Sequence, residues 1–170
     1  MTALTDSGRA QVRRLEAGEL DAAFTLVWET FLTFEAPEYP PEGVEQFRRD
    51  VIASAEFRAR CASGEQPMWG AFIGGELAGV MCLRAPCHIS LAFVAARYQR
   101  RGVGKALMGA LLEHVKRALP DARQVTVNSS PYGAPFYRAL GFCDTDREQC
   151  VTGIRFIPMA LSLDEKASGT

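Results

Sequence analysis

The chain has 170 residues, of which 48% are hydrophobic and 23% charged, a composition typical of one globular domain. Its formal charge of −1 argues against a broad nucleic-acid-binding surface, and no apolar run reaches the ~20 residues that a membrane span needs. The N-terminus lacks a signal-peptide core and the five cysteines form no C-x-x-C pair, so we expect a cytoplasmic protein with reduced thiols and no metal.

The N-terminal third predicts one strand and two helices. Residues 12–15 suit a short strand, and apolar residues recur at helical spacing over 20–31. Pro41 suits the first position of a second helix, whose apolar face would include Val44, Phe47, Val51 and Ile52. Residues 53–66 carry no clear pattern. The polar ends, residues 1–9 and 164–170, are predicted to fray from a single domain that spans residues 1–170.

Three strands are predicted in the middle of the chain. Residues 68–73 and 77–83 are strand-like and are joined through Gly74-Gly75, a typical hairpin signal. Residues 88–94 are nearly all apolar, which predicts a strand at the centre of the sheet.

The C-terminal part alternates helices and strands. Residues 102–119 have apolar side chains four apart and predict a helix, residues 123–128 a strand, and residues 134–140 a short helix capped by Gly141. Residues 151–163 predict one or two further strands. The order of these elements predicts a mixed α/β sheet.

A glycine turn with the sequence Gln-x-x-Gly-x-Gly occupies residues 99–104, between the central strand and the long helix. A Walker loop would need Gly at position 99 and Ser or Thr at 106, and a dinucleotide turn would need Gly or Ala at 107; the sequence has Gln, Ala and Leu there. Glycines let backbone N–H groups approach an anion at a helix N-terminus, so the turn suits a pyrophosphate. Taken alone, it could also be a helix start with a solvated basic face.

Three further segments accompany this turn: His-Ile-Ser-Leu-Ala-Phe-Val at 88–94, Val-Thr-Val-Asn-Ser-Ser-Pro-Tyr at 125–132 and Pro-Phe-Tyr-Arg-Ala-Leu-Gly-Phe at 135–142. Together they resemble the GNAT superfamily of acyl-CoA-dependent N-acyltransferases. The resemblance implies a mixed, mostly antiparallel sheet of six to seven strands flanked by about four helices. In that fold strands four and five splay apart and leave a V-shaped slot for acetyl-CoA. Many relatives pair as dimers, so a homodimer is possible.

The resemblance also implies a coenzyme site. The backbone of Phe93 and Val94 would bind the pantetheine arm, and Asn128, Ser130 and Phe136 would complete its surroundings. The pyrophosphate would be held by the glycine turn and the first helical residues: Gln99, Arg100, Arg101, Gly102, Val103, Gly104, Lys105 and Ala106.

Acyl transfer to an amine needs a base, a donor to the developing oxyanion and an acid for the departing thiolate. The resemblance implies Val94 N–H as the oxyanion donor and Tyr137 as the acid, with Tyr137 also touching the coenzyme. Some relatives carry a catalytic carboxylate at the position of His88, whose imidazole would be largely neutral at pH 7. Strand alternation would place His88 on one face with Ser90 and Ala92. A water relay as base, with His88 only shaping the pocket, is the alternative.

The acceptor amine is expected beside the first two helices. Residues 34–43 carry three acids and a tyrosine, which suits a cationic amine. The predicted acceptor-binding residues are Phe31, Glu35, Tyr39, His88 and Ser90. The expected activity is acetyl transfer from acetyl-CoA to a primary amine of a small molecule or peptide. The alternative is a GNAT-fold module that binds acyl-CoA or a partner protein without turnover.

Overall fold

The computed structural model describes residues 8–164; residues 1–7 and 165–170, which make up most of the predicted frayed ends, lie outside them. Eight strands form the sheet: β1 Gln11–Arg14, β2 Met68–Ile73, β3 Glu76–Arg84, β4 His88–Val94, β5 Gln124–Ser129, β6 Cys143–Asp144, β7 Gln149–Val151 and β8 Ile154–Ser162. Their order is β1-β2-β3-β4-β5-β8-β6, with β7 paired to β8. Only the β4–β5 pairing is parallel. The predicted mixed, mostly antiparallel sheet is confirmed, and the short strands β6 and β7 bring the count above six to seven.

Five α-helices flank the sheet: α1 Leu20–Phe34, α2 Pro41–Phe47, α3 Ala55–Ser63, α4 Val103–Ala118 and α5 Ala134–Ala139. A π-helical turn, Arg48–Ile52, continues α2. Helix α3 forms within residues 53–66, where the sequence shows no clear pattern. Only two of its side chains are buried, so the helix needs few apolar residues. It begins where the Ser54 hydroxyl accepts the Phe57 N–H at 3.0 Å. In residues 8–164 no helix combines the length and apolarity that a bilayer span requires.

Two apolar clusters cover opposite faces of the sheet. One joins Leu107 and Leu111 of α4 to Val125 of β5. The other contains Phe24 and Val27 of α1. Strands β3 and β4 contribute side chains to both clusters, so the sheet is the middle layer of three.

The predicted turns form at their glycines. Gly74 and Gly75 have φ angles of 58° and 82°, the two positive values that a tight β-hairpin turn requires. Gly141 has a φ of 97° and follows α5, where the Phe142 N–H donates to Tyr137 O at 3.0 Å. The β2–β3 hairpin and the end of α5 therefore agree with the sequence prediction.

Strands β4 and β5 pair over two positions only, His88 with Thr126 and Ile89 with Val127. Beyond Ile89 the two strands separate, while β5 continues to pair with β8 along its length. This divergence creates a gap in the sheet at the carboxyl end of β4. The predicted splay between the fourth and fifth strands is thus present.

A β-bulge at Ser90 alters the direction of side chains along β4. Its neighbours pair with consecutive residues of β3, since Ile89 lies opposite Leu83 and Leu91 opposite Cys82. As a result Ile89 packs in the same cluster as Ala92 and Val94, whereas Leu91 and Phe93 pack in the other. The prediction that His88, Ser90 and Ala92 share one face of a regular strand is therefore wrong.

Candidate active site

A cleft of about 840 Å³ lies where β4 and β5 separate. The glycine turn and the start of α4 line one side, and the end of α1 with the connection to α2 lines the other. The cleft brings together sixteen of the residues predicted from sequence: Phe31, Glu35, Tyr39, Ser90, Phe93, Val94, Gln99, Arg100, Gly102, Val103, Gly104, Lys105, Asn128, Ser130, Phe136 and Tyr137. Three predicted residues, His88, Arg101 and Ala106, do not line it.

The glycine turn leads into α4 through a left-handed Gly102, with φ of 78°. At the second residue of α4, a Cβ on Gly104 would lie 2.9 Å from the ring of Phe136, so the backbone of α4 and the ring of α5 are in direct contact. The first N–H groups of an α-helix have no partner within it and carry a partial positive charge. Together with Arg100 and Lys105, which line the cleft, they make this end of it suitable for an anion.

Two residues predicted to hold the pyrophosphate do not line the cleft. The Ala106 N–H donates to Gly102 O at 3.0 Å, which is the first hydrogen bond of the helix, so it is not available to a phosphate. The Arg101 side chain is exposed, and its guanidinium lies 5.6 Å from the ring of Tyr98.

The N–H of Val94 points into the gap beside β4. Val94 pairs with Gly79 of β3, and the next residue, Ala95, donates its N–H to Ala78 O at 2.8 Å. Because successive N–H groups point to opposite edges of a strand, the Val94 N–H faces away from β3. It is a backbone donor directed toward the space between β4 and β5.

The side chain of Gln99 connects the two sides of this gap. Its amide nitrogen donates to Val94 O at 3.1 Å, and its amide oxygen accepts from the hydroxyl of Tyr132 at 3.0 Å. Tyr132 follows β5, and its ring stacks on Phe34 of α1 with centroids 5.1 Å apart. Gln99 therefore links β4, the segment after β5 and, through Tyr132, the end of α1.

Tyr137 lines the cleft from α5, with only 6% of its surface exposed. The rings of Phe136 and Phe142 contact it edge-on at 5.2 and 5.3 Å. Burial, and secondarily the charge of Glu35, raises the pKa of the phenol well above its usual range, so it stays protonated at neutral pH. Within residues 8–164 no side chain hydrogen-bonds to its hydroxyl, which leaves the proton available to a ligand.

Glu35 lies just after α1, where its N–H donates to Phe31 O at 2.9 Å and its side chain lines the cleft. Partial burial raises the pKa of the carboxyl to about 7; hydrogen bonding by Ser130 acts against the shift, and the nearby Glu38 adds to it. A group with this pKa exchanges protons readily at neutral pH.

His88 lies at the paired end of β4 and β5, outside the cleft. Its Nδ1 is 2.8 Å from the Thr126 hydroxyl, a hydrogen bond that fixes the ring on the sheet. Burial, and secondarily the nearby Arg84, lowers the pKa of the imidazole to about 4. The geometry does not bring His88 together with the other predicted site residues.

The end of the cleft opposite the glycine turn is closed by two segments that meet. The Tyr39 hydroxyl donates to Arg155 O of β8 at 3.2 Å. Nearby, a Cβ on Gly43 would lie 2.5 Å from Gly153 O, so the start of α2 touches the turn before β8 with no side chain between them. In the described part of the chain, no three His, Cys, Asp or Glu side chains are grouped as metal ligands.

The sequence model of the acetyltransferase (GNAT) domain matches residues 35–163. The chain belongs to the GNAT acetyltransferase family. No curated protein matches it significantly in sequence.

Solved structures show that this GNAT domain shares its fold with distant relatives. A GCN5-related N-acetyltransferase of Rhodopseudomonas palustris is 22% identical with a TM-score of 0.76, over 90% of this chain and 95% of the other. PaiA N-acetyltransferase of Thermoplasma acidophilum, solved with coenzyme A, is 21% identical with a TM-score of 0.74, over 91% and 99%. YncA of Salmonella typhimurium, solved with acetyl-CoA, is 18% identical with a TM-score of 0.67, over 95% and 98%.

Several residues that line the cleft of this GNAT domain were not predicted as site residues: Phe34, Phe47, Asp50, Tyr132, Arg155 and Phe156. Tyr132 was within reach of prediction, because it ends one of the segments that carry the resemblance. Phe47 was assigned to the apolar face of its helix, and that pattern does not distinguish a core ring from one that lines a cleft. For Asp50 and Arg155 the sequence carries no signal, since each reaches the cleft only through the folding of the chain.

Proposed function

We propose that this GNAT domain transfers the acetyl group of acetyl-CoA to a primary amine. The observation that carries the proposal is that Val94 N–H, the Tyr137 phenol and the Glu35 carboxyl face one cleft, at the gap between β4 and β5. These are a hydrogen-bond donor, a proton donor and a proton acceptor, the three groups that the reaction needs. Coenzyme A and acetyl-CoA in two distant structural neighbours add support.

The glycine-turn end of the cleft fits the coenzyme. The free N–H groups at the start of α4 would bind the pyrophosphate, with Arg100 and Lys105 neutralising its charge. A Cβ on Gly104 would enter the space of the Phe136 ring, so only glycine keeps the turn this close to α5. When bound, acetyl-CoA supplies the acetyl group as an activated thioester.

Proton movements in the proposed mechanism are assigned to residues of this chain. An alkyl ammonium with pKa near 10.4 costs about 4–5 kcal/mol to deprotonate at neutral pH, so a base is needed. Glu35 takes that proton, because its pKa of about 7 leaves it partly ionised. Val94 N–H donates to the thioester oxygen as negative charge develops there, and the Tyr137 hydroxyl protonates the departing sulfur. Glu35 replaces His88 as the base in this scheme, since His88 lies outside the cleft.

Two measurements test the proposal together. Acetyl-CoA should raise the thermal midpoint whereas ATP and NAD should not, because only a ligand of the native state stabilises it. Thiol release from acetyl-CoA should then depend on an added amine. Tight acetyl-CoA binding without release on any amine would contradict the transferase and favour the alternative, a binding module.

We also propose, from the sequence, the extent of the domain, its location and its oligomeric state. One acetyltransferase domain spans residues 1–170, the protein is cytoplasmic, and it forms a homodimer. Light scattering tests the last of these, with a mass near 18.6 kDa contradicting it.

A further inference from the structure

The shape, lining and charge of one part of the cleft, here called its acceptor end, narrow the class of amine that could bind. The acceptor end is lined by Phe34, Glu35, Tyr39, Phe47, Asp50, Arg155 and Phe156. Resting on the proposed transferase function, we propose that the acceptor is a small primary amine with an apolar, ring-bearing body and no carboxylate beside the amine. This excludes the peptide acceptors that the sequence left open. Three features of the described residues carry the inference.

The first feature is closure. The Tyr39–Arg155 hydrogen bond and the Gly43–Gly153 backbone contact join the α1–α2 connection to the turn before β8. Both segments line the cleft, one through Tyr39 and the other through Arg155, so their contact forms a bridge at its acceptor end. A polypeptide acceptor would have to separate them, whereas a small molecule would not.

The second feature is an aromatic lining. Half-buried rings line the acceptor end and present apolar surface to a ligand: Phe34, Tyr39, Phe47 and Phe156. Behind them, Phe31 stacks on Phe47 with centroids 4.0 Å apart, which holds the Phe47 ring in place. Burial of a ligand ring against such surfaces is favourable by roughly 25 cal/mol per Å². A polyamine would gain little from this lining and would lose hydration.

The third feature is the charge at this end. Two carboxyl groups line it, those of Glu35 and Asp50. The only guanidinium lining it in the described chain is that of Arg155, which is paired with Glu148 at 3.1 Å. Arg100 and Lys105 belong to the glycine-turn end. An ammonium is therefore attracted, and a carboxylate next to the amine is repelled.

Matched acceptors test the proposal. 2-Phenylethylamine should show a kcat/KM at least ~10-fold above L-phenylalanine, spermidine and a peptide with an N-terminal Phe, a difference of about 1.4 kcal/mol in transition-state binding. L-Phenylalanine differs from 2-phenylethylamine only by its carboxylate, and the peptide tests the bridge. A kcat/KM for spermidine or the peptide equal to or above that for 2-phenylethylamine would overturn the proposal.

A binding measurement separates this inference from the proposed function. 2-Phenylethylamine alone should raise the thermal midpoint more than spermidine does at equal concentration. If it does so and no amine releases thiol, acetyl transfer fails and the acceptor class stands as a binding preference. If thiol release occurs with spermidine alone, the transferase stands and the acceptor class is wrong.

Ring-removing variants place the effect in the cleft. Phe34→Leu and Phe156→Leu keep apolar volume and should each raise KM for 2-phenylethylamine at least ~5-fold, with KM for acetyl-CoA within about twofold. Leu32→Ala is the matched control on the same helix, because Leu32 is 42% exposed and does not line the cleft. Unchanged KM in both ring variants would contradict the aromatic subsite.

Discussion

Glu35 is a carboxyl group that the fold holds close to its protonated form. It lies at the end of α1, in a cleft whose surfaces come from β4, β5 and α5. Partial burial lifts its pKa to about 7, and its charge in turn raises the pKa of Tyr137. One group can thus accept a proton at neutral pH while its neighbour keeps one, which is the division that acid and base catalysis in one site requires.

The pH dependence of activity should report Glu35. For the wild type, kcat/KM should fall about tenfold per pH unit below an apparent pKa near 7, because the carboxyl must be ionised to accept a proton. Glu35→Gln should lower kcat by about 10²-fold and retain only the slope due to the amine. Steady-state rates from pH 5 to 9 measure both. A Gln variant that keeps the wild-type profile would remove Glu35 from the base role.

The Glu35 carboxyl should lower the free energy of unfolding at high pH. The unfolded chain loses this proton near pH 4.3 and the folded chain near 7, so the unfolding free energy falls as pH rises between these values. Glu35→Gln should therefore match the wild type at pH 4 and exceed it by about 1–3 kcal/mol at pH 8. Urea unfolding measures the difference. Glu38→Gln, at the exposed neighbour, is the control and should change stability by less than about 0.5 kcal/mol at either pH.

Removal of the Tyr137 hydroxyl should affect the chemical step. Tyr137→Phe keeps the packing against Phe136 and Phe142 and should lower kcat by about 10²-fold, with KM for acetyl-CoA nearly unchanged. Tyr132→Phe removes another phenol that lines the cleft and should leave kcat within about threefold. Equal effects of the two substitutions on kcat would argue against a proton donor at Tyr137.

At the residue scale, the motifs in the sequence indicated where several side chains lie. Val94, Gly104 and Tyr137 lie in the cleft as their motifs implied. Glu35 was predicted only as an acceptor contact, because a glutamate near a proline is ordinarily a surface residue. Its shifted pKa depends on segments distant in the chain, and no local pattern encodes that.

Elements, rather than single residues, decide the geometry of the site. Residues 88–94 are nearly all apolar, which predicted a central strand, and its side chains were expected to alternate between the two faces. The bulge at Ser90 depends on the register with β3, which alternation does not report. It separates the His88 end, paired with β5, from the Val94 end, which lines the gap. The strand and its central place were predictable, and the direction of its side chains was not.

The contact between α4 and α5 should control coenzyme affinity. In Gly104→Ala the new Cβ would meet the Phe136 ring at 2.9 Å, so ring or helix must shift, and acetyl-CoA binding should weaken at least about tenfold. Gly109→Ala makes the same exchange later in α4, where a Cβ meets nothing within 4 Å. It should leave affinity unchanged and stabilise the fold by about 0.5–1 kcal/mol. Calorimetric titration measures the acetyl-CoA affinity of both variants, and urea unfolding measures their stability. Equal acetyl-CoA affinities in the two variants would contradict the role of the α4–α5 contact.

At the scale of the whole molecule, the two apolar clusters share β3 and β4 and should unfold together. Each cluster has its own fluorescent reporter, because Trp69 is buried in the α4 cluster and Trp28 packs against the α1 cluster. The single-tryptophan variants Trp28→Phe and Trp69→Phe should therefore give fluorescence transitions that coincide with circular dichroism of the same variant. If the fluorescence midpoint of one variant differed clearly from its circular dichroism midpoint, one face of the sheet would unfold separately.

Gln99 closes the gap between β4 and β5 into a ring, since its two hydrogen bonds reach Val94 on one side and Tyr132 on the other. A coenzyme that enters the slot through this ring must first break it. Side-chain opening takes nanoseconds and stays in equilibrium during binding; breaking one bond worth a net ~1 kcal/mol leaves the ring open in about 15% of molecules, and the association rate constant is reduced by that fraction. Tyr132→Phe removes one of the two bonds and should raise the association rate constant for acetyl-CoA several-fold in stopped-flow experiments; an unchanged rate constant would contradict the gate. The Gln99 side chain that links the two sides of the slot thus also controls entry to it.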